Sequence, residues 1–255
     1  MSEFLIESAL LTHGLKSITN DMLLEKWENE EKRIAWLEAG KIRIETIQNF
    51  CTFREKLRNF ERINYQNFQC FQENRKTGIF TASGTMKACE LLDIPLAVTC
   101  GMGGLMKGQK KEDCHDVAAL SESSVSLIAT APKDMFDLKT TIDCMIAEGI
   151  KVYGYHTDFC DGYMFLGKKV TLTGIWKNES LNQGTLYLRG IPYADRIADR
   201  RILEEAHIYG KEKEKEGFYY HPAVNEKIDE LSKGKSSQIQ LEALLKNIEW
   251  AKNFE

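Results

Sequence analysis

The sequence predicts an α/β protein in which helices cover both faces of a β-sheet. Three apolar runs have the length of buried strands: IPLAVTC (94–100), SVSLIAT (124–130) and IKVYGY (150–155). A helical pattern lies between the last two runs. Apolar strands that alternate with helices form sheets buried on both faces, so the order of these segments predicts the fold class.

The composition of the chain excludes several classes of protein. Its 255 residues are 43% hydrophobic and 28% charged with a formal net charge of −4, which is ordinary for a globular domain and gives no basic footprint for nucleic acid. No run reaches the roughly 18 apolar residues of a membrane helix. The N-terminus lacks a basic leader, and the seven scattered cysteines favour neither disulfides nor zinc. We expect a cytoplasmic protein with one domain over residues 1–255.

Cap and turn residues predict the elements around this centre. NDMLLEKWENEEKR (20–33) has an asparagine N-cap and predicts a helix, and IAWLEAGKIRIE (34–45) predicts a hairpin that turns at Ala39 and Gly40. TMKACELL (85–92) predicts a short helix.

The remaining segments continue the pattern towards the C-terminus. Apolar residues recur at helical spacing from Met135 to Ile146, and Gly149 is placed to end that helix. The charge run at 211–216 predicts a solvated loop, and residues 223–254 predict two helices broken at Gly234.

Lys133 stands where an apolar strand ends and a helical segment begins. Ligands of open α/β sheets bind beyond the carboxyl ends of the strands. A lysine amine is nucleophilic only when neutral, and its ordinary pKa is about 10.4, but desolvation and the positive end of a helix dipole both lower that pKa. Lys133 is therefore either a solvated surface residue or a nucleophile able to form a Schiff base with a sugar aldehyde.

The glycine-rich segment CGMGG (100–104) follows another strand. Glycines there would let backbone amides approach a phosphate. The segment matches neither nucleotide fingerprint, because Met106 occupies the last glycine position of G-x-G-x-x-G and GQK (108–110) is not G-K-[ST]. A small phosphate site and a purely structural turn both stay open.

Two carboxylates are candidates for chemistry. Glu7 lies in the apolar segment ESALLTHG (7–14), where a charge is expensive unless it is paired, functional or on the solvent side of a strand. Asp116 could hold a divalent cation, although one aspartate beside one histidine is no recognisable metal motif. His13 and His115 are more simply interpreted as hydrogen-bonded structural residues.

Taken in order, these segments resemble the pseudouridine-5′-phosphate glycosidases, a family that includes indigoidine-synthase-A-like proteins. ESALLTHG is similar to the family's N-terminal Glu-Ser motif, and GIFTASGTMKACELLDIPLAVTCGMGGLMKG is similar to its Thr-Met helix and glycine loop. HDVAA with SLIATAPKDMFDL resembles its aspartate segment and lysine-bearing strand end, and AEGIKVYGYHTD resembles its Val-Ile-Gly-Tyr strand.

The resemblance implies a three-layer α/β/α fold with a central mixed sheet, assembled as a homotrimer with a manganese-type cation. It implies reversible chemistry that joins or splits ribose 5-phosphate and uracil at a C–C glycosidic bond. By position, Lys133 would be the Schiff-base nucleophile, Glu7 the general acid and Asp116 the metal ligand. The implied substrate contacts are Arg62, Ala82, Ala118 and Arg189.

Departures from the family pattern keep other hypotheses open. Arg62 stands for a lysine, Met106 for the loop histidine and Arg189 for an asparagine, while Ala118 lies in a shortened segment. The added charge of Arg189 favours a homologue that has lost catalysis and binds a sugar phosphate or serves as an assembly partner. A C-glycoside synthase with a different aglycone is a further alternative. An unrelated phosphate-binding enzyme that uses only the glycine loop would keep its activity after Lys133→Ala.

Overall fold

The computed structural model describes residues 3–28, 31–56, 61–177 and 180–254, and its elements are defined within these ranges. The strands are β1 (Phe4–Glu7), β2 (Ile34–Glu38), β3 (Lys41–Glu45), β4 (Arg62–Ile63), β5 (Gly78–Phe80), β6 (Leu96–Val98), β7 (Gly101–Met102), β8 (Ser126–Ala129), β9 (Ala131–Pro132), β10 (Lys151–Gly154), β11 (Phe159–Cys160), β12 (Val170–Thr171), β13 (Gly174–Ile175) and β14 (Thr185–Leu188).

The helices separate these strands and then close the chain. They are α1 (Asn20–Lys26), α2 (Ile47–Lys56), α3 (Phe68–Glu73), α4 (Ala82–Leu91), α5 (His115–Glu122), α6 (Leu138–Ala147), α7 (Arg201–Lys215), α8 (Tyr220–Leu231) and α9 (Lys235–Ala251). A π-helical turn at Leu10–Gly14 and short 3₁₀ turns at Lys111–Asp113 and Tyr193–Asp195 complete the set.

A mixed sheet forms the centre of the described structure. Its strand order is β13-β10-β14-β8-β6-β1-β2-β5-β4, and β3 pairs with β2. All pairs from β13 to β2 are parallel, whereas β3 and β5 run antiparallel to β2. Helices flank the sheet, with α4 packed on β1 and β6 and α9 packed on β6 and β8. The predicted three-layer α/β/α fold with a mixed sheet is confirmed.

The middle strands are apolar because both of their faces are covered. Every residue of β1, β6 and β8 is buried, and in register Leu5 pairs with Ala97, which pairs with Leu127. Since β1, β6 and β8 are parallel neighbours, their carboxyl ends lie at one edge of the sheet. Glu7 ends β1, and Lys133 comes shortly after β8.

Three local predictions are confirmed. The hairpin turns at Ala39 (φ 49°) and Gly40 (φ 78°), the pair of positive φ angles that a two-residue type I′ turn requires. Gly149 (φ 83°) ends α6 as the left-handed residue directly after the Glu148 C-cap. Gly234 (φ 81°) separates α8 from α9.

Two local predictions are wrong. The helix predicted over 20–33 ends at Lys26 and is capped by the Thr19 hydroxyl, because the next residue, Trp27, takes extended backbone angles and is buried; residues 29 and 30 lie outside the described structure. The charge run at 211–216 is no loop, since α7 continues through Lys215 with an ion pair between Lys213 and Glu216. Glutamate and lysine are good helix formers, and these pairs stabilise an exposed helix.

The described helices include none that is long and apolar enough to cross a bilayer.

Candidate active site

A cavity of about 790 Å³ opens at the carboxyl ends of β1 and β6 and beside β9. It is bounded by residues from seven separate parts of the chain. They are Glu7, His13, Glu61, Arg62, Asn64, Asn67, Phe71, Thr81, Ala82, Ser83, Gly101, Gly103, Gly104, Asp113, Cys114, His115, Asp116, Lys133, Phe136, Tyr219, His221 and Pro222.

Glu7 faces this cavity from the last position of β1. Its side chain is only 5% exposed, and the Thr99 hydroxyl, which follows β6, donates a hydrogen bond to its Oε2. Burial raises the pKa of Glu7, against the lowering effect of the nearby Lys133 amine. The solvent-side alternative for Glu7 is therefore wrong, and burial shifts its carboxyl group towards the protonated form.

Lys133 is held by the parallel pair of β7 and β9. Its amide donates to the Met102 carbonyl at 3.1 Å, and its stem passes close to Gly101. A Cβ on Gly101 would lie 2.9 Å from Lys133 Cγ and 2.6 Å from Tyr163 Cζ, so only glycine leaves room there. Burial lowers the pKa of Lys133, opposed by the charge of Glu7. Desolvation thus shifts Lys133 towards its neutral, nucleophilic form.

The sequence predicts two causes for a lowered pKa of Lys133, and only one of them acts. Desolvation lowers the pKa of Lys133. The helix dipole does not act at close range, since α6 begins only at Leu138, where the Asp137 carboxylate caps it by accepting from the Thr140 amide at 2.8 Å. The helix field falls off within about one turn.

Asp116 joins two segments of the cavity wall. It stands in the first turn of α5, where its Oδ1 accepts from the Ser83 amide at 2.9 Å and its Oδ2 accepts from the Gly103 amide at 2.7 Å. A Cβ on Gly103 would come within 3.1 Å of Oδ2. These contacts explain the glycine at 103 structurally, and they occupy an amide that a phosphate loop would need.

The described residues form no complete metal centre. Within these ranges, no three histidine, cysteine, aspartate or glutamate side chains come together in a way that would hold a metal ion. A magnesium-type or manganese-type ion needs fewer protein ligands, because it keeps several waters and binds one or two carboxylates together with substrate phosphate. Asp116 could supply the carboxylate of such a site, whereas the described residues provide no complete set of protein ligands.

The cavity collects five of the seven residues named from the sequence. Arg62, from β4, and Ala82, the first residue of α4, line it together with Glu7, Asp116 and Lys133. His13 and His115, interpreted above as structural residues, also line it.

Two residues named as substrate contacts are not brought to this cavity. Ala118 is buried within α5 and does not line it. Arg189 lies over the ring of Tyr155 at 5.0 Å and borders a separate cavity of about 20 Å³. Arg189 follows β14, which is separated from β6 by β8, so its positive charge lies outside the cavity. Met106 does not line the cavity either and is 40% exposed.

Asp134 fixes the loop beside Lys133. Its carboxylate accepts from the amides of Tyr163 at 2.9 Å, Met164 at 2.8 Å and Phe165 at 3.2 Å. Burial raises the pKa of Asp134 to about 6 despite these bonds. The residue after the candidate nucleophile therefore anchors a distant loop and limits how far the lysine backbone can move.

Sequence reasoning missed the contribution of the segment FYYHP (218–222). Tyr219, His221 and Pro222 line the cavity from the start of α8, nearly ninety positions after Lys133 along the chain. The only local signal was a histidine among aromatic residues immediately before a helix.

The fold and the cavity define a class: an α/β protein in which a desolvated lysine and a protonatable carboxylic acid share one pocket, as in active sites that shift pKa values by burial. The sequence model of the indigoidine synthase A-like proteins matches residues 5–254. The chain belongs to this family.

Curated relatives agree with this assignment, and solved structures share the fold. The pseudouridine-5′-phosphate glycosidase of Legionella pneumophila is 23% identical over 95% of this chain and 85% of its own length, and that of Thermus thermophilus is 25% identical over 95% and 92%. The prealnumycin C-glycosynthase AlnA, solved with ribulose 5-phosphate, has a TM-score of 0.77 at 20% identity, covering 99% of this chain and 90% of its own. An indigoidine synthase A-like protein of Thermotoga maritima also has a TM-score of 0.77, at 18% identity and 98% and 90% coverage.

Proposed function

We propose that the protein is an enzyme that makes or breaks a C-glycosidic bond between ribose 5-phosphate and a uracil-like base, through a Schiff base at Lys133. The observation that carries this proposal is that Glu7 and Lys133 line one cavity, where desolvation raises the pKa of the acid and lowers the pKa of the amine. The names of the relatives, pseudouridine-5′-phosphate glycosidases, support the substrate class.

In the cleavage direction, Glu7 donates a proton to the ring oxygen while the Lys133 amine attacks C1′ of the sugar. The C1′–O bond breaks, a C1′–N bond forms, and the nitrogen loses its extra proton. The nitrogen lone pair then forms C=N as the bond from C1′ to the base breaks. The electron pair of that bond stays on the base carbon, which takes a proton. Water hydrolyses the iminium to the free sugar phosphate and the free amine.

This route suits a carbon leaving group. A C-glycosidic bond has no leaving oxygen to protonate, so a pair of carboxylates alone does not serve. An amine at C1′ provides the electrons that expel the base. Synthesis is the same sequence reversed.

We propose that a divalent cation, when bound, would be held by Asp116 through water and would neutralise charge on the sugar phosphate. Independently of any ion, Asp116 positions the amides of Ser83 and Gly103. The homotrimer implied by the resemblance stays a prediction.

The aglycone need not be uracil. A volume of about 790 Å³ lies in the upper part of the range for small-molecule pockets. A screen of uracil and related acceptors with ribose 5-phosphate and Mn²⁺, read as formation of a C-linked nucleotide, identifies the base. Arg189, the feature that favours the non-catalytic alternative, lines a separate cavity, and the borohydride reaction distinguishes that alternative from the enzyme.

Borohydride reduction tests the proposal directly. We expect ribose 5-phosphate followed by borohydride to add a stable mass to the peptide that contains Lys133, because reduction converts the iminium to an amine. Lys133→Met should abolish the adduct. Lys139→Met, which changes an exposed lysine on α6, is the matched control and should leave it intact. An adduct absent from the wild type, or still formed by Lys133→Met, would contradict the proposal.

A further inference from the structure

One imidazole of the cavity has no part in the mechanism above. His221 stands in the first turn of α8, between Tyr219 and Pro222, and all three line the cavity. Within the described part of the chain, the side chain of His221 has no hydrogen-bond partner. The half-buried His221 thus borders the space where a ligand would lie, and its ring has an N–H donor that no described residue uses.

The surroundings of His221 disfavour a positive charge on its ring. Burial is the main cause that lowers the pKa of His221 to about 3, and the charge of Arg62, with Lys133 and His115 whenever they are protonated, lowers it further. The carboxylates of Glu7 and Asp116 act instead on Lys133. The other titratable side chains of the cavity wall are those of His13, Glu61, Asp113, Cys114 and Tyr219.

We propose that His221 binds the phosphate group of the substrate and thereby selects phosphorylated over free sugars. A neutral imidazole donates a hydrogen bond to an anionic oxygen, and Arg62 supplies the neighbouring positive charge. This inference rests on the proposed function, since it assigns a substrate group to the same cavity.

Two other roles suit His221 less well. A ring that stays neutral at pH 7 is a poor general acid, so it does not duplicate Glu7. A neutral imidazole can bind a metal ion, but the adjacent positive charge of Arg62 would repel a divalent cation. The same charge attracts an anion.

The test compares ribose 5-phosphate with ribose in the borohydride reaction, using the concentration of sugar that gives half-maximal trapping. We expect His221→Ala to raise that concentration about tenfold to a hundredfold for ribose 5-phosphate and to leave it unchanged for ribose, as for loss of a hydrogen bond to a charged group. His221→Gln, which keeps an N–H donor, should restore part of the loss. His156→Ala changes an exposed histidine outside the cavity and is the control.

Equal losses for the two sugars, or no loss for ribose 5-phosphate, would overturn the assignment of His221. If the wild type forms no adduct with either sugar, the Schiff-base function fails, and inorganic phosphate then decides the role of His221 separately. In that case the ring-proton NMR signal of His221, assigned with the alanine variant, should move on phosphate addition. A signal that does not move overturns the inference.

Discussion

At the scale of single residues, the site works by removing water from two groups of opposite type. Glu7 and Lys133 would attract each other as ions, yet burial acts more strongly on each of them. The pKa of the acid rises and the pKa of the amine falls, so both approach the neutral forms that acid catalysis and nucleophilic attack require. Because the two groups interact, the apparent pKa values belong to the pair.

Glu7→Gln tests the acid. Adduct formation should rise with pH as the Lys133 amine loses its proton and fall again as pH passes the raised pKa of Glu7, since the acid is then ionised. The substitution should slow adduct formation by about a hundredfold or more and remove the alkaline fall.

The measurement is the rate of adduct formation with ribose 5-phosphate and cyanoborohydride across pH. Glu3→Gln, at an exposed position in the same segment, is the control. An alkaline fall that persists unchanged in Glu7→Gln would assign it to another group.

At the scale of elements, Lys133 depends on a loop far from it in sequence. The Asp134 carboxylate accepts hydrogen bonds from the backbone amides of residues 163–165. These bonds tie the segment after β9 to the loop after β11. The same arrangement explains why Lys133 precedes α6 by a full turn: residues 133–137 form the anchored turn before Asp137 caps the helix.

Asp134→Asn should change the pH dependence of stability. The folded-state pKa of about 6 lies above the ordinary value of 3.8, so the folded protein binds the additional proton between these limits. The wild type should therefore gain stability relative to Asp134→Asn, by roughly 2–3 kcal/mol, as pH falls from about 7 to about 4.

Urea unfolding of both proteins at several pH values measures this difference, and titration of the other carboxylates cancels in it. Asp158→Asn, at an exposed aspartate, should run parallel to the wild type. A constant difference between Asp134→Asn and the wild type would disprove the shift.

At the scale of the whole molecule, the C-terminal helix ties together the strand ends that form the site. Asn247 of α9 donates to the Thr99 carbonyl at 2.8 Å and to the Thr130 hydroxyl at 3.1 Å. The Thr99 hydroxyl in turn contacts Glu7. Helix α9 therefore helps to hold the Glu7 carboxyl group in place.

Asn247→Ala should lower the free energy of unfolding by about 2–4 kcal/mol, because two buried acceptors lose their donor. It should also slow adduct formation with ribose 5-phosphate, since Thr99 contacts Glu7 and Thr130 lies three positions before Lys133. Gln238→Ala removes an exposed amide from the same helix and should change neither quantity appreciably. Equal effects of the two substitutions would refute this role for Asn247.

The sequence was enough to predict the central strands, the hairpin and the two C-terminal helices, because each has a local cause: apolar runs, a turn with positive φ, or a glycine break. It was also enough to place Glu7, Asp116 and Lys133 by motif. It failed where packing overrides local preference, as at Trp27, and where a role depends on which cavity a side chain enters, as at Arg189 and Ala118.

By itself, then, the sequence determined the fold class, the family and the motifs that contain Glu7 and Lys133, because these depend on short-range patterns. Only the tertiary structure decided that Glu7 and Lys133 share one cavity, that Asp116 binds backbone amides and that His221 lines the same wall. Desolvation and electric fields act through space, and the residues that produce them lie up to 214 positions apart in the chain, between Glu7 and His221.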